Sequence, residues 1–469
     1  MPMQGGGMEI FMNVTEYMSY IRGKQISVIG VGVSNVPLIE FLLSGGARVT
    51  AHDKKNASEL GDVYKRLSDM GISFVLGEKY LEEIPDGCEI IFKTPGLRAD
   101  VPELVAAKEK GIKITSEMEL FFELCPCEII AVTGSDGKTT TTTLIGEMLR
   151  HEGYRCFVGG NIGRPLLGDT AGMKSDDKAI LELSSFQLHT MNCSPHIAVI
   201  TNITPNHLDW HTDYNEYIES KKNIFRHQKD GDRVVLNFDN DITRSFAGEA
   251  KNSMYFSRKS DLERGVCLED GFIVLKDGGN TKKILSVGDI KIPGMHNVEN
   301  YMAAIAAVFE YVSTDTINHV AKNFGGVPHR IELVRELDGI KYYNDSIASS
   351  PARTTAGLKS FNQKVILIAG GYDKKIPFDD FGAVVNEHVK ELVLVGVTSE
   401  KIENAVKNAS NYNGLKIHRK TDFKDAVVTA RSCAKDGDVV ILSPACASFD
   451  LFKNFEQRGN CFKEIVMSF

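Results

Sequence analysis

The stretch Gly134-Ser135-Asp136-Gly137-Lys138-Thr139-Thr140 sets two glycines, a lysine and two threonine hydroxyls at a spacing that suits a phosphate. In front of it, Glu128 to Thr133 is an apolar, β-branched run that predicts a buried strand. Behind it, Lys138 to Arg150 carries Leu144, Ile145, Met148 and Leu149 at helical spacing. A strand that turns through glycine into a helix aims unsatisfied backbone N–H groups and the positive end of a helix dipole at one point. That point suits an anion. Lys138 would add a mobile cation and Thr139 a hydroxyl ligand for magnesium. The generic nucleotide loop needs a glycine five residues before Gly137, where Val132 stands. The bland alternative is a helix capped by Ser135 or Asp136, and the strand and helix on either side weigh against it.

Other residues have the right chemistry but weaker patterns. Glu182 ends the strand-like run Lys178 to Leu183, so it is either a satisfied internal charge or a magnesium ligand opposite the loop. His207 follows a second buried run, Ile197 to Thr201, and taken alone is an ordinary loop residue. The helical stretch Tyr214 to Gln228 carries Lys221 and Lys222, either of which could simply be solvated. Earlier in the chain, Ile26 to Gly30 runs into Gly30-Val31-Gly32-Val33-Ser34-Asn35, and the strand Arg48 to His52 ends at Asp53. This pattern is close to a dinucleotide turn with an acidic residue placed for a ribose, although Asn35 replaces the third glycine. Gly159 to Gly163 reads as a turn that excludes regular structure, and Asn297 as a helix cap or a base contact.

A length of 469 residues predicts roughly three domains. With 42% hydrophobic and 25% charged residues the chain belongs to the soluble globular class. Its net charge of −8 offers no general attraction to nucleic acid, so an anionic ligand must be held by local loops and lysines. Nine scattered cysteines, with Cys125 and Cys127 flanking only Pro126, suggest reduced core thiols in a cytoplasmic protein. No apolar run is long enough to insert into a membrane, no secretory leader is evident, and Met1 to Gly7 reads as a disordered tail.

Strands and helices alternate throughout, which predicts an α/β fold of three domains. The expected boundaries are 1–125 for an N-terminal Rossmann-like domain, 126–325 for a central P-loop ATPase-like domain with a mostly parallel sheet, and 326–469 for a C-terminal Rossmann-like domain. Glu89 to Lys93 and Ile112 to Thr115 add strands to the first, and short strands with glycine turns fill Ser253 to Lys291 in the second. Asp338-Gly339 predicts a hairpin in the third, where Val365 to Ala369 and Val439 to Leu442 read as buried strands.

Taken in order, the loop Thr133 to Thr140, Glu182-Leu183-Ser184-Ser185, Asn206-His207, the lysine of the next helix, Gly294-x-His296-Asn297-x-x-Asn300 and His329-Arg330-x-Glu332 resemble the Mur ligases of cell-wall synthesis. The short phosphate loop is that family's variant, which accounts for Val132. Leu442 to Asp450 followed by Phe452 to Gly459 is similar to the branch that adds D-glutamate.

The resemblance implies an ATP-dependent amide ligase with magnesium as cofactor. It would join D-glutamate to UDP-N-acetylmuramoyl-L-alanine through an acyl phosphate, with small molecules as its substrates, and would act as a monomer. It gives Lys138, His207 and Lys221 catalytic roles and makes Thr139, Glu182, His207 and a carbamylated Lys221 the magnesium ligands. Gly134, Ser135, Asp136, Gly137, Lys138, Thr139, Thr140, Asn297, Asn300, Arg330 and Asp345 would bind ATP, with the last domain closing on the nucleotide. Gly30, Gly32, Ser34, Asp53, Lys54, Asn161 and Ser184 would hold the UDP-substrate. Lys374, or Lys375 in its place, would hold D-glutamate with Ser448 and Phe455. Many family members carry a lysine where this chain has Ile347, so its charge would come from Arg353 or Lys375.

A dehydrogenase built on Gly30 to Asp53 would leave the phosphate loop, Glu182 and His207 unused. A non-catalytic nucleotide-binding module would not need Lys138, Glu182, His207 and Lys221 together.

Overall fold

Runs of Val, Ile and Leu bounded by polar turns and separated by helical stretches build sheets that are covered on both faces. The computed structural model, which describes residues 13–208, 210–374 and 376–469, holds three such sheets. Met1 to Gly7 and Lys375 lie outside the described residues.

The first sheet joins β1 (Gln25–Ile29), β2 (Arg48–Asp53), β3 (Ser73–Leu76), β4 (Cys88–Lys93) and β5 (Lys113–Thr115). Its order is β3-β2-β1-β4-β5, parallel throughout. The second comprises β6 (Glu128–Thr133), β7 (Cys156–Gly160), β8 (Lys178–Glu182), β9 (Ile197–Ile200), β10 (Arg233–Asn237), β11 (Ser253–Ser257), β12 (Gly265–Glu269), β13 (Phe272–Asp277) and β14 (Asn280–Ser286). Its order is β14-β13-β12-β11-β10-β9-β6-β8-β7, parallel from β12 to β7 and antiparallel between β12 and β13. In both, the strand that opens the unit is flanked by neighbours reached in opposite directions, the arrangement that leaves a crevice at the carboxyl ends.

The third sheet joins β15 (Glu332–Leu337), β16 (Ile340–Asn344), β17 (Val365–Ala369), β18 (Val389–Val395), β19 (Lys416–Lys420) and β20 (Val439–Leu442), in the order β15-β16-β20-β17-β18-β19. Only β15 runs antiparallel to its neighbour, joined by Asp338 and Gly339 at φ of 52° and 70°. That pair of positive angles is the tight hairpin turn the Asp-Gly dipeptide predicted. β17 and β20 are buried along their whole length, as their unbroken apolar runs require.

The chain forms two compact units. One runs to Leu285 and takes in Glu299–Ile317, and holds the first two sheets; the other joins Ser286–Val298 to Asn318–Phe469 and holds the third. Within the first unit, one apolar cluster runs from Tyr17 and Leu42 through Phe121 and Leu167 to Phe225 and Phe246.

One expectation fails. Gly159 and Gly160 belong to β7, opposite Leu181 and Glu182, instead of a turn. The backbones approach closely there: a Cβ on Gly160 would lie 2.3 Å from the Glu182 carbonyl oxygen. Glycine here permits close pairing, so its turn propensity misled.

Glu117 opens the helix Glu117–Leu124 from a buried position, and its Oε1 has no hydrogen-bond partner among the described residues. Burial pushes its carboxyl up to about 7. The protonated form therefore stabilises the fold fully below the unfolded value of 4.5, and this contribution is lost as pH rises through about 7. At about 1.4 kcal/mol per unit the difference approaches about 3 kcal/mol. Glu117→Gln is expected to raise the thermal midpoint by several degrees near pH ~8 and to change it little near pH ~5, as differential scanning fluorimetry would report.

Candidate active site

β6 lies between β8 and β9, so the loop after Thr133 emerges at the carboxyl end of the second sheet. Gly134 has φ 147°, and a Cβ there would lie 1.9 Å from Thr201 Oγ1. Gly137 has φ 79°, and its Cβ would lie 2.3 Å from Asn300 Oδ1. Both positions demand glycine by conformation and by space. The loop is braced from below: Ser135 N–H and Asp136 N–H donate to the carbonyl and side-chain oxygens of Asn202, each at 2.9 Å. Ser135 Oγ also meets the Tyr217 hydroxyl at 2.8 Å. In the helix Lys138–Glu152 the leading N–H groups have no carbonyl one turn before them, the property that suits a helix start to an anion. Lys138 Nζ donates to the carbonyls of Gly134 and Ser135, at 2.8 and 2.9 Å.

Thr139 Oγ1 donates to Glu182 Oε2 at 2.6 Å, and Asn161 Nδ2 donates to the other Glu182 oxygen at 2.7 Å. Glu182 is buried, at 2% exposure, so these bonds satisfy it where it stands. The adjacent lysines separate clearly. Lys222 faces outward to Glu219 and Glu249. Lys221, on the helix Tyr214–Arg226, is 2% exposed and reaches the loop, donating to Gly134 O at 2.9 Å and to Thr133 Oγ1 at 3.3 Å. Burial first, and the charge of Lys138 second, hold its ammonium well below the usual lysine range. The structure thus sets two hydrogen-bonded groups about one helix start: Lys138 and Lys221 share the Gly134 carbonyl, and Thr139 and Asn161 share the Glu182 carboxylate.

His207 sits apart on an exposed loop at φ 55°, its ring 4.9 Å from that of Phe186. Around that loop lies a group that sequence reasoning passed over. Arg98 grips both Glu216 oxygens, at 2.8 and 3.0 Å, and its guanidinium holds the Glu216 carboxyl well below the usual carboxylate range. His189 Nε2 lies 3.1 Å from the same carboxylate, and Trp210 Nε1 donates to Gly96 O at 2.9 Å. These contacts tie the helix of Lys221 to the loop after β4. The chain's single Trp, within Trp210-His211, was the available signal.

In the first sheet, Asp53 accepts the N–H of Val31 at 2.7 Å and of Lys55 at 2.9 Å, so it closes the Gly30 to Asn35 turn. Asn35 Nδ2 donates to the carbonyls of Ile29 and Gly30, which explains an asparagine where a dinucleotide turn has glycine. Gly30, Gly32, Ser34 and Lys54 line this turn or follow Asp53 directly. Ser184 caps the short helix Ser185–Leu188, just past Glu182.

In the C-terminal unit, Asp345 is buried and accepts from Ser443 Oγ at 2.7 Å and from the N–H of Ile331, next to Arg330, at 3.3 Å. Burial pushes its carboxyl up to about 7. Tyr372 N–H donates to Ala447 O, which brings Lys374 and Ser448 to one corner, and Ser346 Oγ donates to Phe455 O at 2.8 Å. Where Ile347 stands, Arg353 Nη1 reaches its carbonyl at 3.4 Å and Lys374 Nζ reaches Ser349 Oγ at 3.4 Å, so cations flank this turn. Asn297 and Asn300 lie on the helix Met295–Val308; Asn297 Nδ2 donates to Pro293 O, while Asn300 faces Gly137 and Thr141.

Comparison with known proteins agrees along the chain. Residues 24–116 match the Mur ligase MurD-like N-terminal domain, 132–308 the Mur ligase middle domain and 329–446 the Mur ligase glutamate ligase domain. The UDP-N-acetylmuramoylalanine–D-glutamate ligase of Acetivibrio thermocellus is 56% identical over 460 residues, 97% of this chain and 98% of that one. That of Ruminiclostridium cellulolyticum is 51% identical over 456 residues, 96% and 98% of the two chains. The crystal structure of UDP-N-acetylmuramate–alanine ligase from Thermotoga maritima shares the fold, with a TM-score of 0.58 at 19% identity over 95% of this chain and 99% of that one. With domain matches in this order and relatives of this identity from end to end, the chain belongs to the Mur ligase family, in its D-glutamate-adding branch.

Proposed function

We propose that the loop Gly134 to Thr140 presents ATP to the alanyl carboxylate of UDP-N-acetylmuramoyl-L-alanine, and that the acyl phosphate formed is captured by the amine of D-glutamate. The chain is a D-glutamate ligase of peptidoglycan precursor synthesis, and this is how its residues would carry the reaction. The observation that carries the reading is the group of Lys138, Thr139, Asn161, Glu182 and Lys221 around one helix start.

In the first step a carboxylate approaches a phosphate, so neutralising charge is the main demand on the site. Lys138 supplies a positive charge that can turn from the Gly134 and Ser135 carbonyls to phosphate oxygens. The N–H groups of the first helical turn would hold the β-phosphate. Thr139 and Glu182 offer oxygens 2.6 Å apart, close to the roughly 3 Å between neighbouring ligands of an octahedral magnesium, so the donor set fits that ion. When bound, magnesium would supply further charge to the β- and γ-phosphates. Lys221, as a carbamate, would serve a second magnesium, because an ammonium repels a cation whereas a carbamate offers oxygens; His207, on its separate exposed loop, is kept beside it on family resemblance alone. Burial that lowers the Lys221 pKa raises the share of neutral amine, the form that reacts with carbon dioxide.

The Asp53-closed turn with Lys54 would receive the uridine diphosphate end, and Asn161 and Ser184 the muramoyl end. Lys374, Ser448 and Phe455 would hold D-glutamate. Arg330 and Asp345 are retained as ATP contacts on family resemblance, as are Asn297 and Asn300. Among the described residues no helix is long and apolar enough to cross a membrane. Nine free cysteines fit a reducing compartment, and we place the enzyme in the cytoplasm.

The test is phosphate release from ATP with UDP-N-acetylmuramoyl-L-alanine present, adding D-glutamate, L-glutamate or L-lysine in turn. Stimulation by D-glutamate alone is expected; stimulation by L-lysine instead would reject the assignment.

A further inference from the structure

On the third sheet, away from the strand ends that carry Lys374 and Ser448, three side chains from three elements converge. Glu391 stands near the start of β18, His418 in the middle of β19 and Cys433 at the end of the helix Phe423–Cys433. Glu391 Oε2 lies 2.9 Å from His418 Nε2, and Cys433 Sγ lies 3.6 Å from the same nitrogen. One ligand atom from each residue falls within 4.8 Å of the other two. A tetrahedral ion held at about 2.0–2.1 Å by nitrogen and oxygen and about 2.3 Å by sulfur sets its ligand atoms roughly 3.3 to 3.5 Å apart. The trio is close to that spacing without a change of backbone.

We propose that Glu391, His418 and Cys433 form a binding site for a divalent transition metal of the zinc class, which clips β18, β19 and the helix Phe423–Cys433 together. Thiolate and imidazole ligands select zinc over magnesium, so this site is chemically distinct from the oxygen ligands beside the phosphate loop. All three residues are only partly buried, with Glu391 and His418 side chains 15% and 33% exposed, so an ion can reach them. Lys416 approaches Glu391 Oε1, the other oxygen of the carboxylate, and leaves Oε2 facing His418.

Burial first, and the neighbouring Glu391 second, push the Cys433 thiol up to about 11. Binding therefore exchanges a proton for the ion: the S–H bond breaks, the proton passes to solvent and the sulfur binds as thiolate. Three protein ligands leave the fourth position to water.

The experiment titrates the full-length protein with cobalt(II) as a spectroscopic probe in saturating magnesium. One equivalent should bind with a thiolate-to-cobalt charge-transfer band and intense visible bands of tetrahedral coordination, and zinc should abolish both by displacement. Cys433→Ser should lose the charge-transfer band while ligase activity without added zinc stays unchanged. His418→Gln should weaken cobalt binding at least about tenfold, since even residues that only orient a ligand cost that much. Zinc should raise the thermal midpoint of the wild type and not that of His418→Gln. Absence of the charge-transfer band in the wild type, or its persistence in Cys433→Ser, overturns the proposal and leaves Glu391 and His418 as a cross-strand contact beside a helix-end thiol.

Discussion

Replacing Lys138 with alanine is expected to lower kcat about a thousandfold while leaving the fold intact, measured as D-glutamate-dependent phosphate release beside a thermal melt. The scale follows from removing one preorganised positive group from a site where charge builds up in the transition state, typically a loss of about 10²–10³. In the structure Lys138 donates to the carbonyls of its own loop. Asn202, Thr201 and Tyr217 hold that loop from other elements. Those braces remain in Lys138→Ala, whereas a bound phosphate would lose its cation. The loss should fall on kcat more than on KM for ATP, because the proposed phosphate contacts of the helix N-terminus remain. A variant within about tenfold of wild type would remove Lys138 from the chemistry.

The second large effect is expected at Lys221. Lys221→Met keeps an unbranched apolar stem but removes the amine, which lies 4.8 Å from the Tyr217 ring centroid. A fall of at least about a hundredfold in kcat is expected, in line with the loss of one charge-stabilising group. Lys222→Met is the control. Its ammonium pairs with Glu219 and Glu249 instead of the loop, so activity should stay within about threefold. Protein equilibrated with carbon-13 bicarbonate should show one carbamate resonance in the wild type and none in Lys221→Met. A resonance that survives in Lys221→Met and vanishes in Lys222→Met would reverse the assignment of the two lysines.

The sequence told most where a single element decides the outcome. The run from Glu128 to Thr133 became β6 with those limits, and Asp338-Gly339 became the hairpin turn, because a buried β-branched run and a left-handed turn each leave little choice. It told least where two distant segments meet. Gly160 looks like a turn residue until its partner strand is known to pass 2.3 Å from its absent Cβ. The choice between Lys221 and Lys222 rests on the rotation of a helix against the loop, which adjacent lysines cannot reveal. Arg98 and Glu216 are separated by more than a hundred residues, and each alone looks like a surface charge. Asp53 stands where a ribose partner is expected, and its oxygens also hold the turn itself.

The apolar cluster that runs from Tyr17 to Phe246 has a bearing on how this gene can be recombined. Leu166, Leu167 and Met173 of the second sheet's domain share that cluster with Leu38, Leu42, Phe121 and Phe122 of the first. Two segments that look like separate modules along the chain are thus halves of one folding unit. A chimera that exchanges residues 1–125 with a distant relative must import the matching surface around Leu166 to Met173, or it will join two mismatched faces. Crossovers that preserve this seam should yield soluble hybrids, and those that cut through it should aggregate.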